Sequence, residues 1–142
     1  MKKLADDFYV APQVSEMDVQ AAADAGVKIL INNRTEGEAP NQPTSDTVRT
    51  WAEEAGMTYH AIPVSMPQLS QEILRAYRDA AAGDGPVLAY CASGMRSAAL
   101  WALVQTAAGE MSLADILQAV RTAGYDPTPL APALQQFHGQ GL

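Results

Sequence analysis

The chain has 142 residues, 48% of them apolar, and a formal net charge of −7. That length and composition fit one globular domain with a real core. The acidic balance argues against nucleic acid or an anionic membrane surface as a partner, and no apolar run approaches the roughly 20 residues of a membrane span.

Met1-Lys2-Lys3 opens like a signal peptide, but Leu4-Ala5-Asp6-Asp7 breaks any apolar segment. No export signal is read there, and a cytoplasmic location is expected. Phe8-Tyr9-Val10 is the first apolar, β-prone run. A helix follows from Ser15, with Asp18 three residues on as in a capping box, and stops at Gly26. Val27 to Ile31 is a second strand, and residues 33 to 43, rich in Gly, Pro and polar side chains, form the one long loop. Asn33-Arg34-Thr35 matches a glycosylation sequon, read as chance without export. A helix from about Ser45 to Ala55, a strand from Thr58 to Val64 and a helix from Ser70 to about Ala82 come next. Val87-Leu88-Ala89-Tyr90 is apolar at nearly every position, as a central strand covered on both faces should be. Helices are expected over Ser97–Ala108, Ser112 to Gly124 and, shorter, Leu130–His138. Strands alternating with helices predict a single α/β domain over residues 1–142, with about four mostly parallel strands and helices on both faces.

The chemistry concentrates in "YCASGMRSAALWAL", residues 90 to 103. Cys91 is the only cysteine, so no internal disulfide forms, and the partners of a metal site are missing. No metal or cofactor is expected. A free cysteine is often simply a small core residue. Here it stands at the carboxyl end of a strand, where α/β sheets bind ligands. The following helix turns its free amides and positive dipole end toward it. Both favour the thiolate, as does Arg96, whose planar fork can hold an oxyanion through two parallel hydrogen bonds. Gly94 lets the loop curl. Ala92, Ser93 and Met95 are expected to contribute backbone donors, and Ser97 to cap the helix or donate to the sulfur. A buried cysteine needs neither the glycine nor the arginine, so the turn reads as an anion cradle around a nucleophile.

"CASGMRSAALWAL" together with "INNRTEGEAPNQP", residues 31 to 43, resembles the phosphatase-like domain of the beta-lactamase hydrolase-like protein family. The resemblance implies a tyrosine-phosphatase-like fold close to the dual-specificity enzymes, a thiolate nucleophile at Cys91 and an oxyanion-binding Arg96. An arginine directly after the cysteine is common in that family. This chain has Ala92 there, one positive charge fewer.

Two chemistries compete for the loop. Tyrosine-phosphatase loops usually place five residues between cysteine and arginine, whereas Cys91 and Arg96 have four between them. Cys-x-x-Gly-x-Arg is also the loop form of many single-domain rhodaneses, which carry one extra sulfur as a persulfide and so fit a tighter cradle. The general acid that phosphate-ester cleavage wants is a second discriminator. No Asp or Glu occurs between Glu54 and Glu72, so Glu36 and Glu38 are the substitutes, with solvated surface charge as their plainer role. Asn33 and Arg34 share their loop, and Arg34 either restores the missing pocket charge or ties the loop down. His60, His138, Trp51 and Trp101 read as core or surface residues. The leading expectation is a cysteine-dependent phosphatase-like hydrolase acting on a small-molecule or protein phosphate ester. A sulfurtransferase fed by a sulfane-sulfur donor is the second reading, and a non-catalytic anion- or partner-binding module the third.

Overall fold

The computed structural model describes residues 1–142, excepting the side chain of Pro67. The strands are β1 (Lys2–Ala5), β2 (Phe8–Ala11), β3 (Ile29–Asn32), β4 (Thr58–Ala61) and β5 (Val87–Tyr90). The helices are α1 (Glu16–Asp24), α2 (Ser45–Glu54), α3 (Gln71–Ala81), α4 (Met95–Ala108), α5 (Leu113–Thr122) and α6 (Ala131–Phe137). Short 3₁₀ turns at Met66–Gln68 and Thr128–Leu130 complete the path.

One five-stranded sheet runs in the order β1-β2-β5-β3-β4. The sheet holds one strand more than the four runs read from the sequence. The added β1 folds back antiparallel on β2, through a turn in which Asp7 takes a left-handed φ of 62°. Its Lys2 and Lys3 are exposed, as suits an edge strand, and only Leu4 is buried. The other pairings are parallel. β5 lies at the centre with all four residues buried, and its two faces meet separate apolar clusters. Phe8, Tyr77 and Trp101 pack at ring-centroid distances of 6.0 and 6.5 Å on one face. Trp51 packs against the other. α4 is buried along almost its whole length, because it crosses the middle of the first face between α3, α5 and α6. Among the described residues no helix is long and apolar enough to cross a membrane.

The register decides where the site forms. Ala11, Asn32 and Tyr90 are aligned partners, so β2, β3 and β5 end level with one another. Their exits are stitched together: Cys91 N donates to Ala11 O, Asn33 N to Tyr90 O and Gln13 N to Ala92 O. β4 ends at Ala61 rather than running to Val64. Beyond it, Ile62 N and Val64 N still donate to the carbonyls of Asn32 and Asn33. The segment therefore follows β3 to its end before turning away at residues 65 to 70.

Candidate functional site

Cys91 leaves the end of β5 buried, and its sulfur accepts a hydrogen bond from Gly94 N at 3.1 Å. That contact requires the chain to reverse over three residues. Gly94 makes the reversal with φ 93° and ψ −18°. An added β-carbon there would strike the Tyr125 hydroxyl, and it would lie 3.3 Å from the Ala11 carbonyl carbon. Both the backbone and the space demand glycine.

α4 begins at Met95, two residues before the expected Ser97, with Gly94 at the N-cap position. The first-turn amides are thereby drawn up to the loop. Among the described residues, the amides of Ala92, Ser93, Arg96 and Ser97 have no hydrogen-bond partner, while Met95 N is taken by Ser93 Oγ at 3.2 Å. Free amides at a helix N-terminus provide the donors an anion needs.

Ser97 neither caps α4 nor reaches the sulfur, which corrects both expectations. Its hydroxyl is fully buried and donates to Asn33 Oδ1 at 2.8 Å. Asn33 does not face an open pocket. Its Nδ2 donates to Ile62 O, and its carbonyl accepts from Arg96 and from Val64 N. It is a buried junction between β3, the strand extension beside it and α4. Tyr77, unforeseen in the sequence, supports the same turn by donating to Ser97 O at 3.0 Å, and burial pushes its phenol well above the usual range.

Arg96 is held along one edge. Its NH1 donates to Asn33 O (2.9 Å), Val64 O (3.2 Å) and Glu38 Oε2 (2.7 Å), and its NH2 donates to Glu38 Oε1 (3.1 Å). Among the described residues its Nε has no partner. The Nε/NH2 edge therefore remains as a two-donor fork while the other edge is fixed. Glu38 is fixed in turn by Arg34 Nε, Thr35 N and Thr35 Oγ1. Hydrogen bonding from Arg96, with those contacts behind it, overrides partial burial and holds the Glu38 carboxyl far below the usual carboxylate range.

Of the two roles open to the loop glutamates, surface charge and proton donor, these contacts withdraw the proton donor. Glu38 is a carboxylate committed to two arginines, and Glu36 accepts from Ser45 N at the start of α2. Of the two roles open to Arg34, the geometry matches the tie. It is buried, spans Glu38 and Gln13 Oε1, and does not line the cysteine pocket. His60 sits in β4 and His138 lies beside Thr106, both away from the cysteine pocket.

A pocket of about 610 Å³ opens over the loop, and Cys91, Ala92, Ser93 and Arg96 line it. Met66, Met95, Ala99, Pro129 and Leu130 form apolar walls. Asp126, which follows α5, also lines it and is the pocket's one carboxylate among the described residues. Nothing in the sequence marked this residue, because two helices separate it from the cysteine turn.

A family model described as "Beta-lactamase hydrolase-like protein, phosphatase-like domain" matches residues 1–108. A Beta-lactamase hydrolase-like protein of Agrobacterium fabrum is 35% identical over 118 residues, which is 82% of this chain and 27% of that protein. The chain thus spans about a quarter of the length of the curated relatives it matches. The crystal structure of a Neisseria meningitidis protein described as a candidate phosphatase superposes with a TM-score of 0.85 at 29% identity, covering 96% of this chain and 97% of that one. Human DUSP28 shares the fold, with a TM-score of 0.66 at 20% identity over 96% and 94% of the two chains. The architecture is tyrosine-phosphatase-like, and the chain belongs to the family of phosphatase-like domains found in beta-lactamase hydrolase-like proteins.

Proposed function

We propose that the chain is a cysteine-dependent phosphatase-like hydrolase that works through a phosphocysteine intermediate. One observation carries the reading: Arg96 is clamped along its NH1 edge by Glu38 and two carbonyls, leaves its Nε unpartnered among the described residues, and lines the same pocket as Cys91, Ala92 and Ser93. A cation fixed in this way costs nothing further to orient when an oxyanion arrives.

The step follows from the donors. The Cys91 thiolate attacks phosphorus, the S–P bond forms and the P–O bond breaks. The equatorial oxygens are taken by Arg96 and the loop amides. The leaving oxygen departs as an alkoxide or phenolate and is protonated by water. A second water then attacks phosphorus, releasing phosphate and the thiolate. Ser97, Asn33 and Tyr77 act as positioning residues that fix the first turn of α4.

The four-residue spacing between Cys91 and Arg96 favours a second reading, sulfur transfer through a Cys91 persulfide. Side-by-side assays with p-nitrophenyl phosphate and with thiosulfate plus cyanide separate the two. Nitrophenol release by wild type that vanishes in Cys91→Ser is the expected result. Cys91-dependent thiocyanate without nitrophenol would overturn the hydrolase in favour of the transferase.

A further inference from the structure

Resting on the phosphatase reading above, we propose that Asp126 sets the substrate class of the Cys91 pocket: an aromatic phosphomonoester carrying a positive charge a few bonds from its ring. Met66, Met95, Ala99, Pro129 and Leu130 offer an apolar surface, and the two thioethers adapt to a flat ring. A phosphoserine side chain ends one carbon beyond its phosphate oxygen and leaves that surface unfilled.

The charges decide the rest. Arg96 and Asp126 are the charged liners among the described residues. Arg96 is paired with Glu38 and has one fork to offer, enough for one phosphoryl group. A second phosphate on the same substrate would meet no further cation in the lining, so polyphosphorylated substrates are disfavoured. Asp126 has no ion-pair partner within 4.0 Å among the described residues, although Arg121 lies near enough to attract it weakly. Its Oδ1 accepts from Thr128 N at 2.9 Å, and that bond keeps the carboxyl below its usual range. The group is therefore a standing negative charge on an otherwise apolar wall. It attracts an ammonium or guanidinium carried past the ring and repels a carboxylate there.

Three matched aryl phosphates test this: tyramine O-phosphate, para-propylphenyl phosphate and the O-phosphate of para-hydroxyphenylpropanoate. They differ in the charge of the arm and little in the leaving group. kcat/KM is expected to fall in that order by about two- to fivefold per step, the size of an exposed ion pair. The steps should shrink with added salt, collapse in Asp126→Asn and invert in Asp126→Lys. Equal ratios in wild type and Asp126→Asn would overturn the proposal while leaving the phosphatase in place. Binding of unphosphorylated tyramine against para-propylphenol, followed by NMR titration, reads the same selectivity without chemistry. A tyramine preference that Asp126→Asn removes would support the assignment even if no phosphate were released, in which case only the phosphatase reading would fall. Equal affinities would sink it.

Discussion

Glu38 and Arg96 stand 58 residues apart in sequence and meet through two hydrogen bonds, of 2.7 and 3.1 Å. Both side chains are about a fifth exposed, so the pair is partly shielded from water and screening. It joins the long loop after β3 to the cysteine turn. Glu38→Gln should leave both Arg34 and Arg96 without their counter-ion. The expected result is a loss of stability of about 1–3 kcal/mol, together with weaker sulfate or vanadate binding as the fork loses its brace. Denaturant titration and calorimetry measure the two. Unchanged anion affinity in a folded variant would remove the positioning role.

The same pair has a pH signature with a fixed sign. The Glu38 carboxyl is held below its ordinary value of 4.5 by Arg96. A depressed acid contributes stability that is fully present above its unfolded value and is lost as pH falls toward the folded one. The stability difference between wild type and Glu38→Gln should therefore stay level from neutral pH down to about 4.5, then shrink with further acidification. A difference that grows on acidification would contradict the assignment.

Arg96→Lys keeps the charge but cannot bridge both Glu38 oxygens and still present a fork. Anion affinity and kcat/KM should each fall by about tenfold or more, since misplacing a charge by an ångström in a site of this kind commonly costs up to about a hundredfold. If Arg96 served only the fold, melting temperature would drop and anion affinity would hold.

What the sequence made legible is what short-range pattern encodes. Val87 to Tyr90 is a buried run bounded by turn signals, and Cys91, Gly94 and Arg96 follow within six residues. The central strand, the turn and the helix could therefore be read together. Ser15, Ser70 and Ser112 each cap a helix through the amide three residues on. β1 stayed hidden because two of its four residues are exposed lysines, and its evidence is a pairing with β2 rather than a pattern. The roles of Ser97, Glu38 and Asp126 are tertiary. Ser97 finds its acceptor on Asn33, 64 residues away. Glu38 differs from Glu36 only by which element each reaches, since the loop delivers one to Arg96 and the other to α2. No local signal distinguishes two glutamates separated by one glycine.

Gly94→Ala tests the turn itself. The left-handed backbone alone costs a side chain roughly 1–2 kcal/mol, and the Tyr125 hydroxyl, which donates to Ser93 O, fills the space a β-carbon would enter. The variant should lose more than the backbone term, and sulfate binding should weaken as the amides swing away. Adding Tyr125→Ala should recover part of the loss, because the clash goes while the strained φ stays. A double-mutant cycle reads the coupling. Strictly additive losses would mean that Tyr125 does not press on the loop.

Residues 65 to 69 carry no acid, Glu36 and Glu38 are engaged elsewhere, and Asp126 is held as a carboxylate by the Thr128 amide. Departure of the leaving oxygen then receives little help from the protein. A general acid typically supplies about 10²–10⁴-fold, or roughly 3–5 kcal/mol. Rates across substituted phenyl phosphates should therefore rise steeply as the phenol becomes more acidic, and phosphoserine peptides should react at least about a hundredfold more slowly than p-nitrophenyl phosphate. Thiosulfate has no such handicap, because sulfite leaves as a stable anion. A shallow dependence on the phenol, or brisk phosphoserine turnover, would show that a proton does reach the leaving group. Asp126 would then be the first residue to replace, since it alone among the described carboxylates lines the pocket. A steep dependence unchanged in Asp126→Asn would leave it as a charge that selects the substrate and takes no part in bond breaking.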